Sequence, residues 1–475
     1  MDKYYKAHPL MAIRLVRPFL FVLVLPLLKG LIQYIVANTV SGILSLEFIA
    51  LAIIILIGVL RLRAFRLILK KDAIIIEQGF IYKRRSEIPI SKISSVVSLM
   101  NPFDSICAAV TFRINTEAGI IGKPDYEFKL RKKDAEIVSK SLYGVNKRDP
   151  LKFSVKRLAL AAALSSSAVT GIIVSVPIIS RMGTLLDIAI SEILLDEINK
   201  TAKSLNTFFP PIFNILIIVL LVGYSISFVY TLISSLKFRL FYDKHNIEIR
   251  YGIFIRKRIL FKKKRINNIC IDQTPLMRLT RFFRMRAAVG GFGGEKGEKA
   301  LIVPVGRRFE IKNTFSLGID YFVTKGRILR ASRNIKTLWR FMSIPAILSV
   351  FIVLSGSVIM AVFPYFDRLI AFLMVVLLLC TAYYALLRFY NYRFGQIRFG
   401  DNICARGSNG INTRELYCPK ENVGVIKITQ NPIDIRKKTC KVKLTVRSES
   451  ADHVKVRHID IESVRENINE CFEMT

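Results

Sequence analysis

FRLILKKDAIIIEQGFIYKRRSEIPISKISSVVSLMNPFDSICAAVTFR, residues 65–113, returns as FRLFYDKHNIEIRYGIFIRKRILFKKKRINNICIDQTPLMRLTRFFRMR, residues 238–286, at a constant offset of 173. Without a gap, 11 of the 49 positions are identical, among them Phe65/Phe238, Gly79/Gly252, Ile93/Ile266, Pro102/Pro275 and Arg113/Arg286. A repeat of this length makes the fold a multiple of one unit. Outward from the two copies the same plan recurs: a pair of apolar stretches stands before each, and before a third basic, strand-patterned segment at the C-terminal end.

A bilayer core of ~30 Å needs ~20 apolar residues at helical rise. Residues 158–180, 206–236, 341–363 and 369–387 carry no charge. The first pair, about Pro18–Ala37 and Ile43–Leu60, contains Lys29 and Glu47, each in the half of its helix nearer the connecting turn. There they snorkel to the interface or pair with one another. Arg14, Arg17 and the apolar run 19–28 have the outline of a signal peptide, but no small-residue cleavage pattern follows and a second span begins almost at once. The expectation is a retained helix, and six transmembrane helices in three hairpins.

Charge sets the orientation. Of 72 Lys and Arg residues, 21, 26 and 16 lie in 61–157, 236–340 and 388–475, whereas the turns within hairpins hold only Arg181, Lys200, Lys203 and Arg368. Positive charge stays on the cytoplasmic side. Both termini and all three modules are therefore expected in the cytoplasm, in a multi-pass protein of a bacterial plasma membrane. Seven cysteines without a CxxC pair, and four histidines, fit a reduced compartment and give no metal site.

Short apolar runs divided by Gly, Asn and Asp read as strands and hairpins. In the first module they are 65–67, 73–77, Phe80-Ile81-Tyr82, 88–90 and a run through Ile93, Val96 and Val97. Arg131–Tyr143 closes it as a helix with the stripe Ala135, Val138, Ser139, Leu142. The third module runs through Ile397, Ile403, Leu416, 423–428 and 442–446 to a last helix, 459–472. The expected fold class is an α+β membrane protein whose β-barrel or sandwich modules are each capped by a C-terminal helix. Its parts are hairpin 1 (1–62), module 1 (63–148), hairpin 2 (152–236, with an external amphipathic segment 181–203), module 2 (237–330), hairpin 3 (336–390) and module 3 (391–475).

The unit resembles the bacterial pleckstrin-homology-like family 2, the membrane-flanked domain family. The residues that carry the likeness are Gly79, Arg84, Arg85, Ile88-Pro89, Lys92-Ile93 and Asn101-Pro102-Phe103; then Gly252, Lys257, Arg258, Arg265-Ile266 and Thr274-Pro275-Leu276; and in the third copy Gly407, Lys420, Val423 and Asn431-Pro432-Ile433. Three copies, each after two membrane helices, are similar to the layout of the YdbT-like branch. The third copy departs from it, with Cys418-Pro419 for Ile-Pro and no basic run after its glycine. The resemblance implies a pleckstrin-homology-like (PH-like) fold without enzymatic chemistry.

Net charge is +11, +19 and +5 for the three segments. Basic clusters beside a membrane are drawn to anionic lipid by about 1 kcal/mol per residue. Candidate binding residues, for anionic lipid or a protein partner, are Arg84, Arg85, Arg256, Lys257, Arg258, Lys262, Lys263, Lys264 and Arg265. Generic attraction of a tethered basic domain is the plainer alternative. No recognition motif or stacking platform points to nucleic acid. The glycine cluster 290–297 lacks the Lys-Ser/Thr ending of a phosphate loop and precedes a strand, so it reads as a hairpin tip. Motifs for nucleophilic, zinc or phosphoryl chemistry are missing, and no cofactor is implied. The expectation is a non-enzymatic membrane scaffold that binds anionic lipid headgroups, a membrane protein partner, or both, a one-module relative being the natural partner. The sequence leaves the oligomeric state undetermined. An accessory or component of a transport, export or stress-resistance system is the alternative, with Lys29, Glu47, Ser165–Ser167, Pro177 and Pro345 as its intramembrane groups.

Overall fold

The computed structural model describes residues 3–13, 42–80, 82–116, 124–143, 150–167, 211–243, 245–290, 299–310, 313, 326–409, 412–447 and 452–472. The first expected helix (18–37), the external segment 181–203 and the glycine cluster beyond Gly290 lie outside the described residues. The chain forms two compact units: Met1–Leu151 with Arg239–Arg265 and Val289–Glu298, and Lys152–Phe238 with Ile266–Ala288 and Lys299–Thr475. The division falls inside the second repeat.

In the first unit, strand β1 (Lys3–Lys6) precedes helix α1 (Gly42–Ala64), and β2 (Arg66–Leu69), β3 (Ala73–Gln78) and β4 (Arg84–Pro89) follow it. These strands make an antiparallel sheet in the order β1-β2-β3-β4. One 3₁₀ turn (Ile90–Lys92) leads to β5 (Ile93–Met100), a short helix α2 (Pro102–Ile106), β6 (Ala109–Thr116), β7 (Tyr126–Arg131) and helix α3 (Lys132–Leu142). Alternation puts every second residue of a strand inward, so Leu67, Ile74 and Ile76 face Val96, Phe112, Ile114, Phe128 and Leu130 across the core. Ala135, Val138, Leu142 and Tyr143 close it, and Tyr143 donates its hydroxyl to the Ile93 carbonyl at 3.0 Å. This is the helix-capped sandwich expected, and α3 buries the stripe read from the sequence.

Strand β8 (Leu151–Lys152) opens the second repeat, whose described apolar helices are α4 (Val155–Ser165) and α5 (Pro211–Ser235). Its next strands, β9 (Arg239–Tyr242), β10 (Asn246–Tyr251) and β11 (Arg256–Lys262), form no sheet of their own. They continue the second sheet of the first repeat, in the order β7-β6-β5-β11-β10-β9-β8.

The second unit repeats the arrangement. Its strands β12 (Ile266–Gln273), β13 (Phe283–Val289) and β14 (Ala300–Gly306), with the short helix α6 (Pro275–Leu279), come from the second repeat. Next come β15 (Ile328–Arg330), the helices α7 (Ile335–Val362) and α8 (Asp367–Phe394), then β16 (Gln396–Arg398), β17 (Asn402–Asn409), β18 (Asn412–Pro419), β19 (Val423–Thr429), helix α9 (Pro432–Arg436), β20 (Thr439–Val446), β21 (His453–Asp460) and helix α10 (Ile461–Phe472). They build one large sheet with the path β14-β13-β12-β18-β17-β21-β20-β19, to which β16 and β15 are added beside β17.

Three described helices are long and apolar enough to cross a membrane: Ile217–Ser235 within α5, Ile335–Val362, and Pro364–Phe394. Helix α5 is tied to α4 by the Tyr224 hydroxyl, which donates to the Ala163 carbonyl at 2.6 Å. Between α7 and α8, Gly356 sits against Met374.

Three sequence expectations change. Strands β1, β8 and β15 precede the apolar helices of their repeats, yet each extends the sheet that begins after them. The span 237–330 therefore contains at its end a strand, Ile328–Arg330, that pairs with β16 of the third module. Phe80 and Tyr82 belong to the β3–β4 connection and not to a strand, because Gly79 turns the chain at φ +102°. Ile459 lies within β21, and the last helix starts at Ile461.

Candidate functional site

The β-hairpin that follows the apolar helices of each repeat carries the candidate site. Cross-strand register places Arg66 opposite Glu77 and Glu77 opposite Arg85. Arg66 begins β2 two residues after α1 ends at Ala64, so the β3–β4 tip lies at the end of the sheet where the helix delivers the chain. Gly79 is required there: a Cβ would stand 2.1 Å from the Tyr82 carbonyl oxygen. The turn pushes Phe80 and Tyr82 into solvent, Tyr82 to 84% exposure. Lys83, Arg84 and Arg85 follow directly and are exposed. Arg85 reaches Glu77 only at 3.8 Å, an exposed pair of small worth.

The second copy is built alike. Gly252 has φ +93°, and Ile253, Phe254 and Ile255 are exposed, Phe254 to 62%, with Arg256 exposed beside them. Here Glu248 is buried and accepts from both Arg250 and Arg258, the latter at 2.5 Å. Burial works to raise the Glu248 carboxyl, but the two guanidinium groups prevail and hold it below the usual carboxylate range.

In the third copy strand β17 of the corresponding hairpin is bonded to the apolar helix itself. Asn391 of α8 donates to the Ser408 hydroxyl at 2.7 Å, and Arg406 donates to the Tyr390 hydroxyl at 3.0 Å while pairing with Glu415 at 2.8 Å. That copy has no exposed apolar tip among the described residues, in keeping with its missing basic run.

A second apolar feature recurs in the repeats. The short proline-led helices α2, α6 and α9 expose Phe103 and Ile106, Leu276 and Leu279, and Ile433 and Ile435. Thr274 caps α6 and donates to the Leu164 carbonyl in α4 at 2.7 Å; Asp434 in α9 is paired with Arg340 in α7. Both therefore sit at the first helix of their repeat. Arg278 of α6 stacks 4.8 Å from the Tyr390 ring, and its buried guanidinium nitrogens have no hydrogen-bond partner among the described residues.

The basic residues singled out from the sequence separate into two groups. Arg84, Arg85, Arg256 and Lys264 are exposed. Lys257 and Arg258 lie within β11, between β10 and β5, opposite Leu99 and Ser98. Lys262 donates to the Ile90 carbonyl at 3.3 Å and covers the Tyr143 ring, Arg265 donates to the Ser91 carbonyl at 2.6 Å, and Lys263 is buried. Of this second group Lys262 and Arg265 reach the previous repeat, whereas Arg258 pairs with Glu248 of its own. The sequence signal for the site lay in the apolar residues just after Gly79 and Gly252, of which Phe80-Ile81-Tyr82 read as strand. No group of His, Cys, Asp and Glu able to hold a metal ion occurs among the described residues.

A family model described as bacterial PH domain matches residues 20–145, 202–315 and 343–475. No curated protein and no solved structure matches the chain. With most of its length covered by three successive matches, the chain belongs to the bacterial PH domain family and carries that domain three times.

Proposed function

We propose that the chain is a non-enzymatic integral scaffold of a bacterial plasma membrane, with six transmembrane helices in three hairpins and both termini cytoplasmic. Its PH modules bind anionic lipid headgroups and hold a membrane protein partner, for which a one-module relative is the natural form. The observation that carries the reading is the pair of apolar tips, each followed by arginines, at the sheet end where an apolar helix delivers the chain. Apolar side chains dip into the headgroup–acyl boundary while basic neighbours meet phosphates. Exposed Leu276 and Leu279 on α6 add apolar surface of the same kind.

The test is capture of the protein in native-lipid discs, with mass spectrometry of lipids and proteins together. Wild type is compared with a tip variant carrying Phe80→Ser, Tyr82→Ser, Phe254→Ser, Arg84→Gln and Arg256→Gln. Enrichment of one anionic lipid that survives high salt and is lost in the variant supports headgroup recognition, since generic attraction is screened within a Debye length of ~8 Å. A near-stoichiometric protein supports the scaffold. Bulk-like lipid in both samples with no partner overturns the reading.

A further inference from the structure

The two places where one repeat joins the next are built in the same way. At the first, β5 pairs antiparallel with β11, Val96 opposite Leu260, over the six positions 95–100 and 256–261. At the second, β12 pairs antiparallel with β18, Ile269 opposite Tyr417, over 269–273 and 413–417. Val96 and Ile269 are the same repeat position, 173 apart. Leu260 and Tyr417 also correspond, each two residues before the end of its strand at Lys262 or Pro419. A one-turn 3₁₀ helix follows each of these strands (Lys263–Arg265, Lys420–Asn422), as Ile90–Lys92 follows β4. A side chain at the same repeat position also crosses each seam, although to a different acceptor: Arg265 donates to the Ser91 carbonyl, and its counterpart Asn422 to the Asn267 carbonyl at 3.1 Å, three positions further along.

Such a junction is head-to-tail, so a row of three repeats leaves two edges without a strand partner among the described residues. One is β4, last in the order β1-β2-β3-β4; the other is β19, last in the path of the largest sheet. Strand β4 is the counterpart of β11 and β18, and β19 the counterpart of β5 and β12. Burial follows the pairing. Strands β5 and β12 are buried along most of their length, whereas β19 is exposed or half-buried throughout, Val425 to 58%. Strand β19 has one charge, Lys427, and five β-branched residues in seven, which is little protection for a free edge.

We propose that β19 of one copy of this chain pairs with β4 of a second copy, in the register of the two internal junctions. Val425 then faces Ile88, Ile426 faces Glu87 and Ile428 faces Arg85. Lys92, which holds the position of Arg265, comes beside Glu421, which holds the position of Ser91, so this pair of the chain's own charges is complementary, while Glu87 takes the position of the buried Leu260. A heterologous contact of this kind continues from copy to copy as a row or a closed ring. The inference extends the scaffold reading and does not depend on lipid binding.

The test mixes two differently tagged full-length chains in one membrane, one carrying Glu87→Cys and the other Ile426→Cys, under mild oxidation. A disulfide-linked product containing both tags is expected, about tenfold more abundant than with the shifted pair Glu87→Cys and Ile428→Cys, whose Cβ atoms lie too far apart to bridge readily. Each variant expressed alone reports any linkage through the seven native cysteines. Absence of a mixed product, or equal yield from the shifted pair, overturns the pairing. A product joining the Ile426→Cys chain to a smaller, different polypeptide also overturns it, while supporting the one-module partner proposed above.

Discussion

Replacing Asp272 with Asn is expected to loosen the junction between the second and third repeats by about 2–3 kcal/mol at neutral pH. Asp272 lies on β12 opposite Arg414 of β18, accepts from it at 2.7 Å, and also accepts from Arg286 of β13. Its side chain is almost wholly buried. Burial alone would raise its carboxyl; the charges and hydrogen bonds of Arg286 and Arg414 outweigh this and bring it down from 3.8 to about 2. At about 1.4 kcal/mol per unit, that difference from the unfolded value corresponds to roughly 2.5 kcal/mol. The sign follows from a folded-state value below the unfolded one. The stabilisation is fully present above about pH 4 and is lost as pH falls from 4 towards 2. In lipid discs, Asp272→Asn should lower the thermal midpoint at pH 7 by about 5–10 °C, at roughly 2–4 °C per kcal/mol for a unit of this size. It should also raise hydrogen exchange in β12 and β18 before β20 and β21. The variant's deficit should persist at about pH 5 and narrow below about pH 4. An unchanged midpoint with unchanged exchange at the junction would refute the reasoning.

Other consequences are as direct. Asp452→Ala strands Lys299, whose side chain is 4% exposed and paired with that carboxylate; a loss of about 3–5 kcal/mol is expected, read as a fall in thermal midpoint larger than that of Asp272→Asn. Gly79→Ala must place a Cβ on the Tyr82 carbonyl at φ +102°, so about 1–3 kcal/mol of strain should speed exchange in β3 and β4 while leaving β20 unchanged. Burial pushes the Cys270 and Cys404 thiols up to about 12. Both should resist alkylation at about pH 8 in the folded protein and react fully once it is unfolded, as peptide mapping would show.

Much of the fold was legible because its signals are local or repeated. A 173-residue offset needs no knowledge of contacts, and the stripe Ala135, Val138, Ser139, Leu142 announces one buried helix face. Strand β1 was not legible: Lys3-Tyr4-Tyr5-Lys6 is four residues long, and its partner, Arg66–Leu69, comes some sixty residues later, beyond the first pair of apolar stretches. The charge run 256–265 announced basicity but not the direction of its side chains. Lys262 and Arg265 turned out to spend their donors on main-chain carbonyls of the preceding repeat. The tips were hidden for a different reason. Phe80-Ile81-Tyr82 has the composition of a buried strand, and only the left-handed glycine before it shows that the chain is turning outward.

Sharing strands between repeats also explains why the divergent third copy keeps the fold without an exposed apolar tip among its described residues. In the scaffold proposed above, a tip of the β3–β4 type answers only to the membrane, and in the third copy the polar Ser408 and Asn409 end β17 in regular pairing with β18. The strand edge answers to its neighbour, so it cannot drift alone. Where Leu99 and Lys257 meet at the first junction, Asp272 and Arg414 meet at the second, an apolar–basic pair exchanged for an acidic–basic one in the same register. Each junction thus has its own side-chain code on a common backbone geometry, which favours correct order along the row over pairing of any edge with any other. The exposed β19 and β4 extend the logic: at the corresponding position Thr429 comes opposite Arg84, which is neither of the internal codes. Exchanging Thr429 for Asp should therefore create the Asp–Arg code of the second junction at the outer edge and raise the yield of mixed product between Glu87→Cys and Ile426→Cys chains, and a fall in that yield would show that the outer contact is not built on the internal plan.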